Sequence, residues 1–263
     1  MDFTIKKYKQ LLSALKDNNY QFQTFEQYID SPAEKVVILR HDVDAKNLNS
    51  LQFAKIQNEL GVKASYYFRM VKGSYDEGIM KEIKNLGHEI GYHYEDMDFA
   101  KKDVGGNPKE EDLYEKAFKI FKRNLEIIRK IYPVKTICMH GSPLSKFDNK
   151  ALWKKYDYKS LGITGEPYYD IDFDKVFYIT DTGRRWDGDK VSIRDRVNSN
   201  TFLDYRFHST DEIIGSLKSN NFPDKVMMTF HPQRWNDSLF DWSKELLMQN
   251  IKNVVKSILL RRK

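Results

Sequence analysis

The chain has a single cysteine, Cys138, among its 263 residues, which excludes an internal disulfide framework. No apolar run is long enough to span a bilayer, so no integral membrane segment is expected. The opening Met1-Asp2-Phe3-Thr4-Ile5-Lys6-Lys7 lacks the apolar stretch of a secretory signal, and the expected location is cytoplasmic, at most peripheral to the inner membrane face. No basic block with interleaved aromatics marks a nucleic-acid groove, so no nucleic-acid partner is expected. Internal repeats and linkers are also lacking. The expectation is one barrel domain over residues 1–263, with a helical lead-in over about 1–30 and a C-terminal packing helix over about 239–260.

What the chain does have is lysine spread along its length, giving a net charge of +6 and a pI near 9.0. That balance points weakly to acidic small molecules or an anionic surface. It also has apolar runs that end in charge. Val36-Val37-Ile38-Leu39 reads as a strand buried on both faces, and it runs straight into Arg40-His41-Asp42-Val43-Asp44. Burial and mutual repulsion both oppose ionising two carboxylates at such a place, unless a cation or hydrogen bonds compensate. A metal ion is one compensation. The other reading is a solvated strand-end loop in which Asp42 or Asp44 caps the next helix.

The pattern predicts helices over 3–18, 47–60, 76–86, 109–131, 148–156, from Asp211, and over 239–260. It predicts strands over 36–39, 63–68, 88–93, 135–139, 175–180 and 225–230. Strands alternating with helices imply βαβ units and a mainly parallel sheet, hence an α/β fold. The polar knots all follow strands: Asp42/Asp44, His93/Glu95, His140, Asp181 and His231. In a parallel α/β barrel the strand C-termini share one face, where chemistry is done. That coincidence favours a metal site over a cap. Leu247, Ile251, Val254 and Ile258 form a stripe on the last helix that is expected to face the core rather than a membrane. Cys138, His88 and the Tyr66-Tyr67-Phe68 aromatics read as core residues.

The same motifs, in this order, resemble the polysaccharide deacetylase (NodB-homology, carbohydrate esterase 4-like) superfamily of metal-dependent amide hydrolases, over about residues 35–235. The resemblance implies a distorted (β/α)7-type barrel and a divalent metal, with zinc the expected ion. Arg40-His41-Asp42-Val43-Asp44 is similar to the first family motif, which makes Asp42 a general base and Asp44 a ligand. Gly87-His88-Glu89-Ile90-Gly91 is similar to the lead-in of the second, which makes His93 a ligand. A second histidine normally follows four residues later, where this chain has Met97, so Glu95, Asp98 and His140 are the candidates for the third ligand, with His140 the one expected. His140-Gly141-Ser142-Pro143 stands where the family has a groove-lining motif. The turn at Ser142–Leu144 would offer a backbone N–H to an oxyanion. Asp181 resembles the aspartate that orients the catalytic histidine, and His231 that histidine, which protonates the leaving group. His41, Glu95, Ser142, Arg184, Arg185 and Trp186 are the expected substrate contacts, since Arg matches phosphate and Trp stacks on sugar faces.

The implied activity is removal of an acetyl or formyl group from an amino sugar, small or part of a glycan precursor, during surface-polysaccharide assembly. Three alternatives stand beside it: a metal-free amidase of the same fold acting on a ureide or cyclic amide, a non-catalytic carbohydrate-binding protein, and a membrane-peripheral scaffold using the last helix.

Overall fold

The computed structural model describes residues 1–106, 108–141, 145, 147–187 and 197–261, with side chains through residue 254. Its centre is strand β2, Val36–Val43, all eight residues buried. One edge of β2 pairs along its length with β7, Lys225–Phe230. The other edge is shared. Its first part takes β1, Gln21–Gln23, and its second part takes β3, Ser65–Phe68. Beyond β3 come β4, Glu89–Tyr94, and β5, Ile137–Met139; beyond β7 lies β6, Phe177–Thr180. Every pairing is parallel.

Helices precede and connect these strands. They are α1 Ile5–Asp17, α2 Phe25–Asp30, α3 Asn47–Glu59, α4 Glu77–Asn85, α5 Asp96–Val104, α6 Glu110–Arg129, α7 Pro167–Asp170 and α8 Thr210–Lys218. α9, Leu239–Arg261, follows the last strand. Their starts are fixed locally. Thr4, Asp76 and Ser209 each accept a backbone N–H of the first turn, and Thr24 forms a reciprocal capping box with Gln27.

The sheet is curled. Neighbouring parallel strands lie about 4.8 Å apart, so the ends of β5 and β7, four places apart in the order, would be ~19 Å apart in a flat sheet. Yet His140 after β5 and His231 after β7 both reach the Asp44 carboxylate, at 3.5 and 3.8 Å. The curl stays open between β5 and β6. Residues 163–176 fill that gap, bridging β5 at Gly165 and packing Phe173 inward. The fold is therefore the expected α/β architecture: an open, barrel-like parallel sheet flanked by helices.

Strand alternation divides the core in two. Ile38, Tyr67, Cys138 and Met227 line the concave interior with Phe25, Phe173 and Val176. Val37, Leu39, Phe68, Ile90 and Met228 face the helices. Gly91 belongs to the concave face and is tightly constrained. A Cβ there would lie 2.4 Å from the Tyr67 ring and 2.9 Å from the Thr136 carbonyl oxygen.

Several elements differ from expectation. β1 is additional, because one exposed and two half-buried residues, two of the three glutamines, give no apolar pattern, while α2 falls within the helical lead-in expected over about 1–30. α5 begins at Asp96, inside what reads as a strand-end polar cluster. Residues 149–154 form a 3-10 helix rather than an α-helix. The stripe of α9 does not face the core: Leu247, Ile251 and Val254 are 63%, 52% and 59% exposed. Ile258 lies outside the described side chains. α9 is held by polar contacts instead. The Trp242 indole donates to the Asp2 carbonyl (2.7 Å), the Arg184 guanidinium to the Trp242 carbonyl (2.7 Å) and the Asn253 amide to the Gly183 carbonyl (2.9 Å).

Candidate metal centre

The strand ends bring Asp42, Asp44, His93, His140, Asp181 and His231 together. His93 closes β4 on the concave face. Its Nδ1 lies 2.9 Å from the Cys138 carbonyl oxygen, which can only accept, so Nδ1 carries the proton. Burial pushes the His93 imidazole down to about 4, so it is neutral near pH 7. Its Nε2 is then a bare lone pair, 3.6 Å from Asp42 Oδ2 and 3.6 Å from Asp44 Oδ1. His140 repeats the arrangement. Its Nδ1 lies 3.1 Å from Glu95 Oε2 and its Nε2 3.5 Å from Asp44 Oδ1.

Asp44 Oδ1 is a buried oxygen that accepts no hydrogen bond among the described residues. Burial alone would raise the Asp44 carboxyl. His140, His231, His93 and Arg69 outweigh that and hold it well below the usual carboxylate range. An ionised carboxylate oxygen thus faces the bare Nε2 of His93 and, at 3.5 Å, the Nε2 of His140, and accepts a hydrogen bond from neither. The spacing fits a cation: ligand atoms in a tetrahedral site with bonds of about 2.0–2.2 Å sit roughly 3.3–3.6 Å apart. Asp44, His93 and His140 form a group geometrically capable of holding a divalent metal.

Asp42, His93 and Cys138 form a second such group. It is the poorer one, because Arg40 occupies both oxygens of Asp42, through Nε at 2.9 Å and Nη2 at 2.6 Å. A metal there would lie against a guanidinium.

On the far side of Asp44, His231 is held by Asp181. Asp181 accepts from the His231 Nδ1 (2.6 Å) and backbone N–H (3.0 Å), from Arg234 Nη1 (2.8 Å) and from the Trp235 indole (2.7 Å). Burial would raise the Asp181 carboxyl, but His231 and Arg234 bring it below its ordinary value. His231 Nε2 is left pointing toward the site, 3.8 Å from Asp44 Oδ2.

Glu95 is drawn to Arg69, which forks onto it through Nε and Nη2 at 2.8 Å each. Asp98 is engaged away from the cluster, accepting from Ser145 and from the Asn149 amide at 3.0 Å. Met97 is buried, 2% exposed, and offers no ligand.

Four expected substrate contacts lie elsewhere. His41 is fully buried on the opposite face of β2, 3.1 Å from the Tyr8 hydroxyl and stacked between Tyr66 and Phe230, because neighbours of Asp42 in a strand must face away from it. Trp186 is a core residue. Its indole donates to Thr210 at 2.9 Å and its ring packs on Phe3 and Phe230. Arg184 stacks on Trp242, 4.2 Å from the ring centroid, and Arg185 pairs with Asp187 at 2.6 Å. Ser142 and the turn through Leu144 lie outside the described residues.

Sequence reasoning missed Arg69, Arg234 and Trp235. Arg234 and Trp235 follow His231 closely enough to have been considered. Arg69 follows β3, the strand beside β2, and carries the one available signal, a charge after a buried run.

No protein-family model and no curated protein matches the sequence. Among solved structures the chain is similar to a CE4 family pseudoenzyme from Bacillus anthracis, with TM-score 0.42 and 12% identity over 86% of this chain and 62% of that one. It therefore spans about three fifths of that chain's length. It is also similar to a family 4 carbohydrate esterase from Bacillus anthracis, with TM-score 0.40 and 14% identity over 97% of this chain and 90% of that one. A Streptococcus mutans CE4 esterase gives TM-score 0.42 and 13% identity, over 88% and 85%. Among the described residues, no helix is long and apolar enough to cross a membrane.

Proposed function

We propose that this protein is a metal-dependent amide hydrolase that removes an acetyl or formyl group from an amino sugar, on a precursor used in surface-polysaccharide assembly. One observation carries the reading: two histidine Nε2 atoms converge on the unsatisfied Asp44 Oδ1, with a clamped carboxylate on one side and an oriented imidazole on the other. Asp44, His93 and His140 would hold the metal, with zinc favoured by the two nitrogen donors. When bound, it supplies Lewis-acid polarisation of the acyl carbonyl and a lowered pKa for water.

The chain's own residues do the rest. Asp42 takes the proton of the attacking water, with Arg40 fixing the plane of its carboxylate. His231 gives a proton to the departing nitrogen as the C–N bond breaks, leaving a free amine and a carboxylic acid. Asp181 holds Nδ1–H, so that His231 works through Nε2.

The test follows amine release from N-acetyl- and N-formyl-hexosamines alongside metal content, in protein purified without chelator. Stoichiometric metal and turnover, both lost on chelation and restored by Zn2+, are expected. Asp42→Asn and His231→Ala should each lower turnover by about 10²–10⁴ while keeping the metal. Full activity after complete metal removal would replace this reading with a metal-free amidase. Glycan binding with no amine release from any preparation would replace it with a binding protein.

A further inference from the structure

The third corner of the cluster comes from the end of β5, and what aims it there is a pair of residues that follow two other strands. His140 reaches the cluster from a loop after a three-residue strand, and its side chain is 14% exposed. Its backbone is pinned, with its N–H on the Tyr94 carbonyl (2.9 Å) and its carbonyl on the Asn149 amide (3.1 Å). Those bonds leave the imidazole free to turn. The contact that sets its rotation and its tautomer is Glu95 Oε2. Glu95 in turn sits where β4 gives way to α5, almost wholly buried, and its two oxygens are fixed by the Arg69 fork.

Arg69 follows β3, the strand between β2 and β4. Its backbone N–H bonds Ser74 Oγ at 2.9 Å, and that hydroxyl bonds the Val43 carbonyl. Its Nη1 reaches the Asp44 carbonyl at 3.4 Å. A single guanidinium therefore abuts the backbone of one candidate ligand and, through Glu95, orients the ring of another. The cation and carboxylate balance in net charge, so what the couple chiefly adds to the site is direction.

We propose that Arg69 and Glu95 act as one positioning unit that lets His140 complete the metal site of a chain whose α5 presents Met97. This rests on the metal reading above. Residues that orient a ligand typically change metal affinity by about 10–100-fold when removed. Because the two act in series, their effects should not add.

The experiment measures the Zn2+ dissociation constant of the full chain by chelator competition, and the visible spectrum of the Co2+ form, for wild type, Arg69→Met, Arg69→Lys, Glu95→Gln and the Arg69→Met/Glu95→Gln double variant. Thermal melts check folding. Each single variant should weaken Zn2+ by ~10–100-fold and alter the Co2+ bands, and the double variant should match the weaker single within about threefold. Arg69→Lys keeps the charge but not the fork and should recover only part of the loss. Zn2+ affinity within twofold of wild type and an unchanged Co2+ spectrum in the folded Glu95→Gln and Arg69→Lys variants would overturn the proposal while leaving the metal reading intact. Failure of the wild-type chain to take up either metal would overturn both.

Discussion

The guanidinium of Arg40 closes over both oxygens of Asp42, and the two side chains are 1% and 4% exposed. Removing one partner of such a pair strands the other charge in the interior. Arg40→Met is therefore expected to destabilise the fold by about 3–5 kcal/mol in urea denaturation at neutral pH. A loss below ~1 kcal/mol would show that Asp42 finds compensation elsewhere. A second buried carboxyl behaves differently. Among the described residues Asp96 forms no ion pair, and the nearby Arg123 only partly offsets its burial. Asp96 accepts from the Tyr92 hydroxyl at 2.8 Å and the Asn124 amide at 3.1 Å, and burial pushes it up to about 8. Unfolded, it ionises near 3.8. Between those values the folded state holds a proton that the unfolded state has released, so stability falls as pH rises through the window. The slope is on the order of 1 kcal/mol per pH unit, levelling above pH 8. Asp96→Asn should remove that slope. Parallel pH dependences of wild type and variant, by chemical denaturation between pH 5 and 8, would show that Asp96 does not carry it.

Single strands show what could be read beforehand. β2, β4 and β7 were legible because each is a buried run ending in charge. Their ends also carry Asp42, Asp44, His93 and His231, which the fold brings close together. The misplacement of His41 was avoidable in principle: if Asp42 faces the site, its neighbour in an extended strand cannot. Arg184, Arg185 and Trp186 were harder, because no periodicity describes the irregular segment after β6. β4 carries its own prediction. Gly91 leaves no room for a side chain beside Tyr67 and the Thr136 carbonyl. Gly91→Ala should cost about 1–3 kcal/mol of stability, read from the denaturation midpoint. The stripe of α9 gives the opposite expectation. A helical pattern reveals one apolar face but not what that face meets. With Leu247 and Ile251 exposed, the Leu247→Ser/Ile251→Ser double variant should change stability by less than ~1 kcal/mol. A larger loss would mean that the stripe is covered after all.

For the molecule as a whole, alternating strands and helices announced a parallel α/β fold, and the polar residues that follow the apolar runs do gather at the strand ends. The strand order was not legible, because periodicity is local while the seating of β7 beside β2 joins distant parts of the chain. That seating has a consequence for synthesis on the ribosome. Asp44, His93 and His140 all emerge before β6 and β7 exist, so the three candidate ligands can meet while one side of β2 still lacks its neighbour. Such an edge is a template for wrong pairing. The nascent chain carries it until residues 225–230 have left the exit tunnel, and His231, the last residue of the strand-end cluster to be made, arrives with the strand that covers it.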